Sequence, residues 1–456
     1  MHEPIIVTAP ASKSLSHRAL IAAALAGGAS ELTGLLDSVD ITRTKACLRA
    51  MGATVIENGP DAATVTGMPG GPRGGTSPAD AASLDMHESG TSCRLLTGVA
   101  ASGHGTFRIH GAPRLHERPI GALTDALVAQ GVGVTFEGRP GCPPVLLTTI
   151  GIPGGEIEIN LEESSQYLSG LLLAAPLATK GEATITITGK KAVSWPYAAL
   201  TLQTMEDFGV DFRVELLEDG VWVAKDYREI TGIEPGKARF TVHPGPYAAR
   251  ECRVEGDWSN ASYLLSAGAL GSRPVTVAGL RGDSLQGDMA IVSILERMGA
   301  RIEWDGDDVT VFPSELKGIA VDMGACPDLV PTVAVLASLA KGPTTITNVA
   351  HLRIKETDRL AAPAMEMAKL GVKSTFPDDD SIMVEPPAGP APLHSPGKIR
   401  FSSYNDHRMA MSLSLYGLKG FSTTFDNPSC VTKSFPDFFK VFGRILVANR
   451  DAGNQE

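Results

Sequence analysis

The stretch Ser12 to Leu35, SKSLSHRALIAAALAGGASELTGL, decides the fold. Small polar residues open it, an apolar helical run follows, Gly27 and Gly28 make a turn, and a strand-like run comes next. Ser and Thr suit a helix N-terminus because their oxygens accept backbone N–H bonds. Glycine suits the far end because it adopts the left-handed backbone freely. Five later segments share this grammar: Ser89 to Ile109, Ser164 to Thr188, Gly256 to Ala278, Pro327 to Thr347 and Asn405 to Phe425. Their turn glycines, Gly28, Gly105, Gly181, Gly271, Gly342 and Gly420, are spaced 77, 76, 90, 71 and 78 residues apart. A second series marks the end of another helix in each segment: Gly52, Gly131, Gly209, Gly299, Gly371 and Gly443. Its spacings are 79, 78, 90, 72 and 72. Two series with one period predict six repeats with helix–strand–helix–strand–strand content. Both stretch to 90 between the third and fourth members, where Lys225 to Pro246 is rich in Gly and Pro. That predicts a domain boundary near Arg253. The first helix of each repeat is apolar on every side, as in Leu168 to Leu177, and is predicted to be buried with strands around it.

Composition limits the function. The chain has 456 residues, enough for two to four domains. Its 40 basic and 51 acidic residues give a net charge of −11, which excludes broad nucleic-acid or anionic-membrane binding. A small anion is still accommodated if basic side chains converge. No apolar run approaches the roughly 18 residues of a membrane span, and the start lacks the basic and apolar regions of a secretory signal. Cys47, Cys93, Cys142, Cys252, Cys326 and Cys430 form no C-x-x-C. They read as reduced thiols of a cytoplasmic protein. No spacing of His, Cys and carboxylates suggests a metal site.

The chemistry-bearing residues sit at the polar openings of the apolar helices. These openings are Ser12-Lys13-Ser14 with Arg18, Glu88-Ser89-Gly90-Thr91 with Arg94, Glu163-Ser164-Ser165-Gln166, and Tyr404-Asn405-Asp406-His407-Arg408. Helix N-termini attract anions, and Lys or Arg one turn in adds to the effect. Arg353 to Arg359 reads as the opening of a helix. Lys355 and Arg359 would then stand at i, i+4 and Glu356 and Arg359 at i, i+3, so that cations and a carboxylate share a face. Arg118 precedes Pro119, which reads as the first residue of a helix. Asp328, after Pro327, reads either as an N-cap or as a carboxylate kept ionised by neighbouring cations and able to accept a proton from a hydroxyl.

This ordered set resembles the 5-enolpyruvylshikimate-3-phosphate (EPSP) synthase family over essentially the whole chain. The resemblance also rests on Glu117-Arg118-Pro119-Ile120, Ser194 with Pro196-Tyr197, Glu255-Gly256-Asp257 and Gln286-Gly287-Asp288. It continues through Pro327-Asp328, Lys355-Glu356-Thr357-Asp358-Arg359 and Lys433-Ser434-Phe435-Pro436. It implies an α/β fold: a two-domain inside-out α/β barrel with six βαβαββ-type repeats, three per domain. The first domain would span 12–253, and the second 1–11 plus 254–456, with the active site in the cleft between them. The implied reaction moves the enolpyruvyl group of phosphoenolpyruvate to the 5-hydroxyl of shikimate 3-phosphate through a tetrahedral intermediate, with loss of phosphate. No cofactor and no metal are implied, and the enzyme is expected to be a monomer.

By matching positions, the resemblance implies that Lys13, Ser14, Arg18, Ser164, Ser165, Gln166, Ser194, Tyr197, Asp328, His351 and Lys355 hold shikimate 3-phosphate. It implies that Lys13, Gly90, Arg118, Gln166, Arg359, Arg408 and Lys433 hold phosphoenolpyruvate. Asp328 would be the base at the 5-hydroxyl. Glu356 would be the acid and base at the methylene carbon, with Lys13 as an alternative proton carrier. A glycine at position 90 implies room for the inhibitor glyphosate. Glu88 stands where the family commonly has Asn, and is left outside the ligand set. Two other readings are a UDP-N-acetylglucosamine enolpyruvyl transferase and a non-catalytic anion-binding scaffold. The first usually carries a Cys shortly before the Arg-Pro of the second repeat, and Gly111 to Arg118 contains none. The second is disfavoured by two carboxylates, Asp328 and Glu356, set among so many cations.

Overall fold

Ser12, Ser38 and Ser89 each stop the chain in an extended conformation and turn their hydroxyl onto an N–H of the helix that follows. These caps open helices α1 (Lys13–Leu25), α2 (Val39–Ala50) and α3 (Gly90–Ala101). The computed structural model describes residues 3–68, 70–387 and 397–453. Two compact units form, Ser12–Val254 and Met1–Ala11 with Glu255–Glu456. The break falls after Val254, whose N–H donates to Thr33 O at 2.9 Å within the first unit.

In the Ser12–Val254 unit the remaining helices are α4 (Gly121–Ala129), α5 (Gln166–Ala174) and α6 (Trp195–Asp207). Helices α1, α3 and α5 are buried almost all round: Leu20, Ile21, Leu95, Leu96, Val99, Leu168 and Leu172 have no exposed surface. Each such side chain contributes about 1.5–3 kcal/mol by leaving water. Helices α2 and α4 bury only one stripe, Ile41, Thr44 and Leu48 in one and Leu123, Ala126 and Leu127 in the other.

Strands enclose these helices in sheets of one pattern. Residues 82–85 pair in parallel with 104–110, which pair antiparallel with 145–150, which pair antiparallel with 133–136. The same order holds for 251–253, 29–33, 62–66 and 54–59. It holds again for 155–160, 183–188, 238–242 and 212–218, with 221–224 added at the edge. A parallel pair needs a crossover, and the buried helices α3 and α5 supply it for 82–85 with 104–110 and for 155–160 with 183–188. Residues 251–253 bring the end of the unit back to its first sheet.

The other unit contains α7 (Trp258–Leu270), α8 (Ile291–Arg297), α9 (Val330–Ser338), α10 (Ala361–Ala368), α11 (His407–Ser414) and α12 (Phe438–Gly453). Asp257 and Asp406 cap α7 and α11. Strand 5–8 pairs in parallel with 275–278, so the first residues of the chain complete this unit. Parallel pairs 320–322 with 344–347 and 398–401 with 422–425 follow. Among the described residues no helix is long and apolar enough to cross a membrane.

Four local expectations fail. Gly271 has φ −76°, so it ends α7 without entering the left-handed region that the other five glycines of its series occupy. Gly443 ends no helix. Phe438, Phe442 and Ile445 keep a buried i, i+4, i+7 stripe that carries α12 straight through it. The run Lys355 to Arg359 is turn rather than helix, because α10 starts only at Ala361. Pro119 lies outside α4, whose cap is Ile120.

Helices α3 and α5 approach at glycines. A Cβ on Gly98 would lie 3.0 Å from the Gly170 Cα and overlap its carbonyl. Gly98→Ala is therefore expected to lower the unfolding free energy by about 1–3 kcal/mol through overpacking. The check is the midpoint of a urea transition at unchanged slope.

Candidate active site

The polar residues of the Ser12–Val254 unit meet through bonds between helices far apart in sequence. Lys13 Nζ lies 3.4 Å from Asp40 Oδ2 on α2. Arg18 is fully buried; its guanidinium donates to Thr201 Oγ1 (2.8 Å), Ser14 O (2.9 Å), Tyr197 O (2.7 Å) and Ser169 Oγ (3.4 Å). Burial pulls its pKa down to about 10, which leaves it charged. Arg18 thus ties α1 to α5 and α6 and fixes the backbone at Tyr197. Ser194 begins α6 with φ 57°, a left-handed position that turns the chain sharply into the helix.

Gln166 joins α5 to α3: its Nε2 donates to Thr91 Oγ1 at 3.0 Å and its Oε1 accepts from Arg94 Nη1 at 3.1 Å. Ser164 Oγ accepts from Gln166 N–H at 3.2 Å, and Ser165 beside it is buried. Gly90 is the first residue of α3, and a Cβ there would lie 2.5 Å from Cζ, Nη1 and Nη2 of Arg118. The Arg118 guanidinium therefore lies against the bare Gly90 backbone, and its Nη1 also reaches Glu88 O at 3.5 Å.

The other unit holds a charged cluster. Arg359 is 2% exposed and meets three carboxylates. Its Nε and Nη2 form a fork with Asp406 (2.7 and 3.1 Å), its Nη1 reaches Asp328 Oδ1 (2.8 Å), and its Nη2 reaches Glu356 Oε2 (2.9 Å). Arg408 Nη2 pairs with Asp328 Oδ2 at 2.6 Å, and Lys433 Nζ lies 3.4 Å from Glu356 Oε1. Burial alone would raise the Asp328 pKa, but Arg408, Arg359 and Lys355 outweigh it and hold the carboxyl well below the usual range. The same balance keeps Arg359 charged: burial disfavours its charge, and Asp406, Glu356 and Asp328 restore it. His351 is buried in the 3-10 turn Ala350–Ile354 that leads to Lys355. Among the described residues no group of His, Cys, Asp and Glu could hold a metal ion.

A family model described as EPSP synthase (3-phosphoshikimate 1-carboxyvinyltransferase) matches residues 5–224 and 229–442. The chain belongs to the EPSP synthase family. A 3-phosphoshikimate 1-carboxyvinyltransferase of Marinomonas sp. (strain MWYL1) is 40% identical over 437 residues, covering 96% of this chain and 95% of that protein. One from Shewanella denitrificans is 39% identical over 442 residues, covering 96% of each. The solved EPSP synthase of Acinetobacter baumannii is similar with a TM-score of 0.72 and 26% identity, covering 97% of this chain and 95% of that one. The enolpyruvyl transferase NikO of Streptomyces tendae shares the fold, with a TM-score of 0.70 at 21% identity over 97% of this chain and 94% of that one. The fold is accordingly the α/β fold of the enolpyruvyl transferases. As an EPSP synthase the chain is a transferase of the shikimate pathway to the aromatic amino acids, moving the enolpyruvyl group of phosphoenolpyruvate to shikimate 3-phosphate.

Sequence reasoning gave no site role to several residues of these clusters. Asp406 both caps α11 and forks Arg359, and the strained turn before it, with Tyr404 and Asn405 at φ 53° and 55°, aims it there. Asp40 and Arg94 hold Lys13 and Gln166. Asp288 is buried beside Ser259, whose hydroxyl donates to it; burial, with the Asp328 charge adding, pushes its pKa up to about 7. Asp406 and Arg94 carried a local signal, one at a helix start two positions before Arg408 and the other one turn into a polar helix opening, whereas nothing local marks Asp40.

His17 gives these clusters a measurable pH signature. Burial pulls its pKa from 6.5 down to about 3, with Lys13 and Arg18 opposing protonation and Asp40 favouring it. Below pH 6.5 the unfolded chain takes up a proton that the native chain refuses. Stability from this group is therefore present above pH 6.5 and lost toward pH 3, by about 1.4 kcal/mol per pH unit. His17→Asn is expected to remove that slope from urea unfolding free energies measured between pH 6 and 4.

Proposed function

We propose that the two clusters are halves of one active site. Lys13, Gly90, Arg118 and Gln166 on one unit, and Arg359, Arg408 and Lys433 on the other, take phosphoenolpyruvate. Lys13, Ser14, Arg18, Ser164, Ser165, Gln166, Ser194 and Tyr197, with Asp328, His351 and Lys355, take shikimate 3-phosphate. Domain closure unites the halves and excludes water. The observation that carries this reading is the charged cluster, in which Arg359, Arg408 and Lys433 converge on Asp328 and Glu356.

Those carboxylates pair with the cations that the substrate anions need. When the phosphate and carboxylate of phosphoenolpyruvate engage Arg359, Arg408 and Lys433, charge is drawn off Asp328 and Glu356. The Asp328 carboxyl then climbs toward the ordinary carboxylate range and becomes a base, while Glu356, released from its cations, takes up from solvent the proton it will give. Asp328 takes the proton of the 5-hydroxyl as its oxygen attacks C2 of phosphoenolpyruvate. Glu356, or Lys13 in its place, gives a proton to the methylene carbon, which yields the tetrahedral intermediate. The same group takes back a proton as phosphate leaves. Among the described residues, six of the seven sheets, each with a parallel pair at one edge, support reading the chain as six repeats in a two-domain inside-out barrel; the seventh joins only the short strands 26–27 and 247–248. Six free cysteines suit a cytoplasmic site of action.

Asp328→Ala and Glu356→Ala are each expected to lower kcat for phosphate release by about 10²–10⁴-fold, the range of acid–base catalysis. Assays pair phosphoenolpyruvate with shikimate 3-phosphate, and near-parent rates in both variants refute the acid–base roles.

Gly90→Ala must push the Arg118 guanidinium away. It is expected to raise the inhibition constant of glyphosate and the KM for phosphoenolpyruvate, each by about tenfold, near 1.4 kcal/mol of lost contact. Equal inhibition constants for parent and variant would contradict the steric argument.

A further inference from the structure

Four side chains that the reaction leaves unused form one continuous chain in the core of the Ser12–Val254 unit. His17 Nδ1 lies 2.8 Å from Thr44 Oγ1, Thr44 Oγ1 lies 2.8 Å from Ser92 Oγ, and Ser92 Oγ lies 2.7 Å from Ser89 Oγ. All four residues have no exposed surface. The chain crosses three helices, from α1 through α2 to α3, and ends on the Ser89 oxygen, which also accepts the Ser92 N–H at 3.2 Å.

Its direction follows from counting hydrogens. If His17 Nδ1 accepts, each hydroxyl donates once, from Ser89 to Ser92 to Thr44 to His17. Only the Nε2 hydrogen of His17 is then left over, and that nitrogen is buried with no hydrogen-bond partner among the described residues. In the reverse direction both Nε2 and the Ser89 hydroxyl hydrogen lose their place. The first arrangement leaves fewer buried polar groups unmatched, so it is the stable one. It requires a neutral imidazole, which the low pKa of His17 ensures.

Asp40 and Thr44 stand one turn apart on α2 and hold Lys13 and His17, which stand one turn apart on α1. Helix α2 is thus keyed to α1 at two rungs, and its second rung continues to the start of α3. The α3 start is where the bare backbone of Gly90 meets Arg118. We infer that Thr44 is a positioning residue for phosphoenolpyruvate binding, because the buried chain His17–Thr44–Ser92–Ser89 sets where the Gly90 end of α3 stands against Arg118. This rests on the assignment of Gly90 and Arg118 to phosphoenolpyruvate given above.

Two substitutions of Thr44 separate a hydrogen-bonding role from a packing role. Thr44→Val keeps the shape and removes the hydroxyl; Thr44→Ser keeps the hydroxyl and removes a methyl. In steady-state assays of the full chain, Thr44→Val is expected to raise the KM for phosphoenolpyruvate about tenfold, the equivalent of one lost buried hydrogen bond. Its kcat and its KM for shikimate 3-phosphate are expected to stay within about twofold of the parent, and Thr44→Ser to stay within about twofold on all three. Should Thr44→Val fail to fold, Ser92→Ala breaks the next link and is expected to show the same split. The inference is overturned if Val and Ser variants behave alike, or if a folded Ser92→Ala protein keeps the parent KM for phosphoenolpyruvate. Arg118→Ala is measured alongside. An unchanged KM there removes the assignment of the site itself, a failure distinct from that of the chain.

Discussion

Arg359 carries a full charge at a place water hardly reaches, and the arrangement of the Glu255–Glu456 segment around it follows from that fact. A buried guanidinium is stable only when carboxylates surround it with good geometry. Asp406 supplies two parallel bonds, and Asp328 and Glu356 supply one each. Those carboxylates come from three separate places in the chain, so the ion cluster fastens the cap of α11, the turn before α9 and the turn before α10 to one another. Loss of any one partner would leave charge stranded in the interior.

The Ser12–Val254 unit achieves the same end with mostly neutral groups. Hydroxyls, one imidazole and one amide link α1, α2, α3, α5 and α6, and Arg18 is matched chiefly by carbonyl and hydroxyl oxygens. Neutral hydrogen bonds are directional and nearly insensitive to salt, so they define positions. The charged cluster instead pairs cations with carboxylates, from which an incoming anion takes them in the proposed mechanism. One unit therefore reads as a rigid cradle and the other as an electrostatic reserve, a division that suits the proposed binding of two anionic substrates.

The Thr44 chain extends the first of these ideas beyond the residues proposed to touch substrate. A helix N-terminus can receive an anion only where its backbone stands still, and a cap alone fixes it just to its own helix. Connecting the Ser89 cap to α2 and α1 makes the position of Gly90 depend on the same scaffold that holds Lys13.

Local signals were sufficient for the caps Ser12 and Ser89, for the all-round apolar helices, and for the glycine turn at Gly342, since each depends on a few neighbouring residues; Gly105, read as a turn, lies inside the strand 104–110. They misled at Arg353 to Arg359, where charges at helical spacing lie in a turn. There the pull of Arg359 toward Asp406, 47 positions away, overrides local propensity. They misled again at Gly443, where buried aromatic rings outweigh the cost of a mid-helix glycine. The amino-acid order by itself determined which residues were chemically fit for two anionic substrates, because charge, hydroxyls and helix starts are local properties. Which of them pair was settled only by tertiary structure: Lys13 with Asp40, Gln166 with Arg94 and Asp328 with Arg408 join positions 27, 72 and 80 apart. Such partners are chosen by how buried helices pack, and packing is a property of the whole unit.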